Sequence, residues 1–247
     1  LSEMNLKPDF SYKAPPRESA INFAHRKLPS EDIYFIATAG EGCVAECSFR
    51  ITGKYPQYFD AITGEIYDVP DYEESDGFTK IQIEIEYQGS RIVVFRDKSV
   101  GHDLPNWKAD KTIPITVPWE VAFEANRGAP AKIQMNELVS WTEHDDFGVR
   151  HFSGVGSYTK SVEIPEELLK ENNQIWLDLG EVKELAEVIL NGKSLSTLWR
   201  PPYRVNVTNY IKKGNNEIEI KVVNTWVNRL IGDKKVSKEE WICQIIP

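Results

Sequence analysis

The chain has 247 residues, with 29 Lys and Arg against 38 Asp and Glu, a net charge of −9. This balance excludes a phosphate-binding surface, which needs clustered Lys and Arg, so neither nucleic acid nor an anionic membrane is an expected partner. No run of eighteen apolar residues is present to cross a bilayer as a helix, and 41% hydrophobic content is ample for two cores of ordinary domain size.

In chain order, residues 1–17 read as an irregular, Pro-containing leader. Strands follow near 20–26, 32–38, 43–52, 57–60, 65–68, 79–88 and 91–96, separated by turns at Thr63-Gly64 and Gln88-Gly89-Ser90. In the clearest of them Ile81, Ile83, Ile85 and Tyr87 are predicted to face inward, and Gln82, Glu84 and Glu86 to face water. Residues 18–97 are thus a first β-sandwich. Asp97 to Lys111 carries Gly101, Pro105 and few apolar residues, so 98–111 reads as a linker.

A second domain, 112–247, has strands beginning at Ile113 and ending near Asn224. Ile175, Leu177 and Leu179 alternate with Trp176 and Asp178, and Ile218, Ile220 and Val222 alternate with Glu217, Glu219 and Lys221. Asn191-Gly192 between two apolar runs is a strong hairpin signal. Helical periodicity is nearly missing: Pro165 to Lys170 reads as one or two turns, and little else does. Lys212-Lys213 and Lys234-Lys235 read as solvated turn residues. The fold class is all-β, two consecutive sandwiches with the second a jelly roll.

Titratable residues supply few constellations. Cys43 and Cys47 lie four residues apart on one strand face, about 13 Å if extended, too far for a disulfide. With Cys243 they read as free thiols, not zinc ligands. Glu143-His144-Asp145-Asp146 has the composition of a metal or acid–base site, but its place in a polar stretch before Phe147-Gly148 favours a solvated turn. No metal or other cofactor is assigned. Acidic loops leave room for a Ca²⁺, although no EF-hand-like spacing exists.

Leu190-Asn191-Gly192 followed by Trp199-Arg200-Pro201-Pro202-Tyr203 resembles the galactose-binding-like, or sugar-binding, jelly roll attached to many glycoside hydrolases. Phe152-Ser153-Gly154, then Tyr158 and Pro165, looks like the entry to the same module, with Val162 where the pattern has Phe. Asn224 to Asp233, NTWVNRLIGD, resembles the bacterial α-L-rhamnosidases of glycoside hydrolase family 106 more closely. Phe23 to Lys27, Asp32 to Phe35, Arg50 to Gly53, Thr63 to Glu65 and Val93 to Arg96 continue that likeness, which covers roughly residues 18 to 233.

The resemblance implies a region that follows a catalytic (β/α)₈ barrel, which would need roughly 250 residues of its own. It also implies secretion or periplasmic residence, and a plant-type glycan or the missing barrel as partner. Leu1 is not Met, and the final strand of such a jelly roll is not found before Pro247, so the expectation is a fragment of a larger protein or a truncated relative. Because the family's catalytic carboxylates lie on the barrel, none is carried over, and the isolated chain is expected to hydrolyse nothing. The alternatives are a stand-alone carbohydrate-binding module and a structural or adhesive spacer.

Sugar recognition asks for aromatic faces beside hydrogen-bonding side chains. Trp199, Arg200 and Tyr203, on a loop stiffened by two prolines, have that composition, but Trp199 capping the core with Tyr203 beneath the loop is the competing reading. Asn228, Arg229 and Asp233 form a second polar candidate, equally explained by an Arg–Asp pair pinning a terminal loop. His25 and Arg26 could reach the rim of a neighbouring active site or make an interdomain contact. Phe23, Ile33 and Phe35 favour a strand packed in the sandwich, with Arg26 held by an acid such as Asp32.

Overall fold

The computed structural model describes residues 7–13, 20–61, 64–102, 109–170 and 173–243. The chain divides into two compact units, Leu1–Lys111 and Thr112–Pro247. Parts of the expected leader and linker, Thr63 of one turn and the last four residues lie outside the described residues.

The first unit contains β1 (Phe10–Tyr12), β2 (Ile21–Lys27), β3 (Glu31–Thr38), β4 (Cys43–Phe49), β5 (Tyr55–Phe59), β6 (Ile66–Asp68), β7 (Tyr72–Ser75), β8 (Phe78–Ile85) and β9 (Ser90–Arg96). They form a four-stranded sheet in the order β1-β4-β8-β7 and a five-stranded sheet in the order β2-β3-β9-β5-β6, with antiparallel pairing throughout. Phe10, Phe49, Ile81, Ile83 and Ile85 of one sheet bury against Tyr34, Ile36, Val93 and Phe95 of the other, which is what alternating strands require of a sandwich. Phe49 and Phe95 meet with ring centroids 5.2 Å apart.

Four expectations fail here, each for a local reason. The leader is not wholly irregular: Phe10 and Tyr12 straddle Ser11 in β1, and Phe10 is buried, but a three-residue strand is too short for its alternation to register. Strand β8 stops at Ile85, because Gln88 takes a positive φ and Gly89 donates its N–H to the Glu86 carbonyl, and Tyr87 is left exposed. The acidic β7 went unseen because an edge strand facing water has no apolar alternation. The start of the presumed linker folds onto the first unit, since Asp68 accepts from the Ser99 hydroxyl and the Val100 and Gly101 amides. Those bonds outweigh burial and hold the Asp68 carboxyl below its usual range.

The second unit contains β10 (Trp119–Phe123), β11 (Lys132–Met135), β12 (Val155–Ile164), β13 (Trp176–Asp178), β14 (Leu185–Leu190), β15 (Lys193–Leu198), β16 (Arg204–Asn206) and β17 (Gly214–Val223). One six-stranded sheet runs β11-β10-β12-β17-β14-β15, and β13 pairs with β16 in a second, two-stranded sheet. Trp119, Val188, Leu190 and Ile218 of the larger sheet bury against Val205 and Leu177 of the smaller, with Ile175 just before β13 packed beside them. At the other end Val121, Phe123 and Met135 close over Trp141, Val149 and Phe152. Trp141 lies so close to β12 that a Cβ on Gly156 would come within 2.5 Å of its ring.

Asn191 and Gly192 both take positive φ between β14 and β15, the geometry of a two-residue hairpin turn. The Asn191 side chain also donates to the fully buried Asn216 and accepts from the Glu217 amide, fastening the hairpin to β17. Pro165 to Lys170 gives one 3₁₀ turn over Glu166–Leu168. The first strand begins at Trp119 rather than Ile113, which is half exposed; Pro114 and Pro118 lack the N–H groups that a ladder needs. Two short helices went unanticipated, α1 (Phe147–Arg150) and α2 (Val227–Asp233). In α2 the buried residues are Arg229, Gly232 and Asp233 while Leu230 and Ile231 face water, so its helical spacing is carried by residues that a hydrophobic pattern ignores.

Candidate functional site

The described residues present three polar clusters, and the predicted site residues fall among them. In the loop between β15 and β16, Trp199 is 59% exposed but Tyr203 only 7%. The Tyr203 hydroxyl donates to the Glu184 carbonyl at 3.2 Å, and its own carbonyl accepts from the Leu179 amide. Tyr203 therefore supports the loop from beneath, and Trp199 alone offers an open aromatic face. The Arg200 guanidinium donates to the Pro201 carbonyl at 3.1 Å. The two aromatics do not form a paired stacking platform.

The second cluster surrounds α2. Arg229 and Asp233 are 4% and 3% exposed, one helical turn apart, with Arg229 Nε 2.9 Å from Asp233 Oδ1. That contact is electrostatic, since Nε has no aligned acceptor. The two Asp233 oxygens accept from the Ile242 and Cys243 amides, so the pair does pin the segment that follows. Asn228 is half-buried. Ser153 accepts from the Arg229 amide and donates to the Thr225 carbonyl, joining α2 to the start of β12.

Four segments border a half-open cavity of about 270 Å³ lined by Asn126, Arg127, Ser153, Trp226, Arg229, Ile242 and Cys243. Trp226, just before α2, is 61% exposed, and the Arg127 guanidinium lies 5.8 Å from its ring centroid. Trp226, Arg127 and Asn126 were not singled out from the sequence. Trp226 stands in a motif whose polar residues carry the recognisable pattern, whereas Asn126 and Arg127 lie a hundred positions away, and no spacing rule joins them.

Beside the cavity, His151 is buried with Nε2 3.4 Å from Lys235 Nζ. Burial, then the charges of Lys235, Arg229 and Arg150, hold its pKa below the ordinary histidine value. His151 is thus a neutral acceptor for the lysine. Glu143 and Asp145 are exposed, and Asp146 caps α1 by accepting from the Val149 amide, the solvated turn expected of that segment.

The third cluster lies in the first unit, along a groove of about 870 Å³ lined by Asp9, His25, Lys27, Asp32, Arg50 and Lys54 among others. His25 stacks on Tyr34 with ring centroids 4.0 Å apart. Its Nδ1 lies 2.8 Å from Asp9 and its Nε2 3.1 Å from Asp32. Burial alone would raise the Asp32 pKa, but hydrogen bonds from Lys54 and His25 reverse this and hold it below its usual value. Asp32 is therefore held by Lys54 and His25, not by Arg26, which projects from the opposite face of β2 into solvent. Phe23 and Phe35 are also nearly half exposed, Phe23 because β2 is an edge strand and Phe35 because it points away from the sandwich.

Comparison with known proteins gives this geometry its context. Residues 1–74 match the family model described as alpha-L-rhamnosidase, of glycoside hydrolase family 106. Residues 136–245 match the family model described as the glycosyl hydrolase 2 galactose-binding domain-like. The solved rhamnosidase of Novosphingobium sp. PP1Y superposes on 98% of the chain with a TM-score of 0.83 and 32% identity, and the chain spans 23% of it. A Formosa agariphila protein named for beta-glucuronidase activity is 48% identical over 118 residues, 48% of this chain and 10% of that protein. The chain is thus an all-β region similar, over parts of its length, to glycoside-hydrolase β-sandwich domains, with the galactose-binding-like match falling in its second unit. In particular, it is similar to the sandwich region of the rhamnosidases.

Proposed function

We propose that this chain is the non-catalytic accessory region of a glycoside hydrolase resembling the α-L-rhamnosidases, and that it supports a catalytic barrel borne elsewhere. The observation that carries this reading is the superposition of nearly the entire chain on less than a quarter of one rhamnosidase. That one solved rhamnosidase carries a segment of this fold matching nearly the whole chain is what supports the reading. On this reading the groove around His25 and the Trp199 loop are surfaces against which the rest of the enzyme or its glycan lies, the protein works outside the cytoplasm, and no cofactor is called for.

The test is a replacement in the Novosphingobium rhamnosidase. Removing its matching segment is expected to abolish soluble, active enzyme, and inserting this chain in its place is expected to restore soluble enzyme with measurable aryl-rhamnosidase turnover. Full activity of the deleted enzyme would overturn the supporting role.

A further inference from the structure

The five-stranded sheet of the first unit carries apolar residues on both of its faces. Tyr34, Ile36, Val93 and Phe95 point into the sandwich core, so their chain neighbours point the other way. The ladder register sets those neighbours side by side. Ala24 of β2 lies opposite Phe35 of β3, Phe35 opposite Ile92 of β9, Ile92 opposite Phe59 of β5, and Phe59 opposite Ile66 of β6. One apolar row thus crosses all five strands, with Ile33 and Ala37 on either side of Phe35 along β3. Phe35 is 46% exposed, Ala24 is exposed, and Ile92, Phe59 and Ile66 are half-buried. Charge returns on one border, at Arg26 and the Glu31–Arg96 pair.

The other sheet of the same unit provides the contrast. Its outward rows read Ser11, Ser48, Lys80 and Glu73, then Glu46 and Gln82, the polar face that an antiparallel sheet turns to water. Strands apolar at every position, as Ile33-Tyr34-Phe35-Ile36-Ala37 and Ile92-Val93-Val94-Phe95 are, have the composition of strands covered on both sides. The unit covers part of this outer face itself: Gln57 donates to Asp68 and to the Lys98 carbonyl, and Val94 opposite Gln57 is 4% exposed. At Phe35, one row along, the face remains open.

We propose that this face seats a further domain of the same polypeptide, the catalytic domain of the parent glycoside hydrolase, which lays an uncharged, apolar surface on the row from Ala24 to Ile66. The assignment rests on the accessory reading above and adds a place of contact distinct from the His25 groove and the Trp199 loop.

Area, chain length and family match favour this occupant over a second copy of the chain. With strands about 4.8 Å apart and a rise of about 3.4 Å per residue, the face measures about 19 Å by 13 Å, on the order of 250 Å². A free-standing dimer needs roughly 800 Å² from each partner, whereas a tethered domain needs less because the connection holds its effective concentration near the millimolar range. The chain spans 23% of the solved rhamnosidase, so most of that protein lies outside the match. Four of the five strands carrying the face, β2, β3, β5 and β6, fall within residues 1–74, the part matched by the alpha-L-rhamnosidase model.

The test is carbene footprinting with a diazirine reagent, applied to this chain and to the intact Novosphingobium rhamnosidase and read by residue with mass spectrometry. Phe35 and its row are expected to label in the free chain, and the matching positions of the intact enzyme to label at least about fivefold less, as the buried centre of an interface does. Phe35→Thr in the free chain is expected to lower the melting temperature by no more than about 4 °C, the worth of one cross-strand pair.

Equal labelling of the chain and the enzyme overturns the assignment. So does labelling that falls as the free chain is concentrated and sediments as a dimer, which makes a second copy the occupant. A loss of more than about 10 °C in Phe35→Thr also overturns it, because the face would then belong to the chain's own core. The accessory role fails separately: full activity of the segment-deleted rhamnosidase would sink that role and leave a protected face standing, and equal labelling beside an inactive deletion would do the reverse.

Discussion

Asp233→Ala isolates the pair that organises α2. Arg229 and Asp233 are almost wholly buried, so removing the carboxylate leaves a guanidinium in low dielectric without its counter-charge. Breaking a buried pair in this way costs roughly 3–5 kcal/mol, much more than an exposed pair would. The Ile242 and Cys243 amides lose their acceptor in the same step. For a unit of this size each kcal/mol shifts the melting temperature by about 3–4 °C, so the loss reads as roughly 10–20 °C.

The assay is calorimetric unfolding of the whole chain, with amide exchange at Ile242 and Cys243 to show that the following segment is released. The double variant Arg229→Met, Asp233→Leu removes both charges together and is expected to lose less than Asp233→Ala alone. A shift of only a degree or two in Asp233→Ala, with exchange at Ile242 and Cys243 unchanged, would refute the claim that this pair holds the segment that follows α2.

Other expectations follow from the same geometry. His151 has its folded pKa below the ordinary 6.5, so the stability it contributes is complete above pH 6.5 and is lost as pH falls through the depressed value; urea titrations from pH 7.5 downward should show this, and His151→Gln should flatten the slope. Asp32 behaves likewise further into acid: its contribution is full above about pH 3.9 and lost below it, and Lys54→Met should move that acid limb to higher pH. Gly156→Ala places a methyl within 2.5 Å of the Trp141 ring and should cost roughly 1–3 kcal/mol as overpacking, measured by chemical denaturation. Tyr203→Phe removes one hydrogen bond to the Glu184 carbonyl and should cost about 1 kcal/mol, whereas Trp199→Ala should leave the melting temperature nearly unchanged.

What could be read in the sequence was what repeats on a short period. The Ile81, Ile83, Ile85 run and the Ile218 alternation locate β8 and β17 because each has one face on a core, and Asn191-Gly192 locates its hairpin because few other residue pairs take two positive φ values cheaply. Strands β1 and β7 stayed hidden for opposite reasons, one too short and the other too polar. Helix α2 was hidden because what it buries is an ion pair and a glycine.

The candidate sites divide in the same manner. Local composition marks Trp199 and the Arg229–Asp233 pair, and an Arg–Asp pair four residues apart is compatible with both pinning and ligand binding until burial is known. Burial of Tyr203 was the reading set against stacking. What no local pattern contains is the meeting of Asn126 and Arg127, on the β10–β11 loop, with Trp226 and Arg229, since that contact depends on the register of β10, β12 and β17 in one sheet.

The accessory reading is most directly tested by incubating the purified, folded chain with aryl α-L-rhamnoside and aryl β-D-glucuronide at high protein concentration and following release of the aryl alcohol. No release above that of heat-denatured protein is expected; saturable turnover that co-purifies with the chain and vanishes on denaturation would show that it carries catalytic groups of its own and would contradict the account.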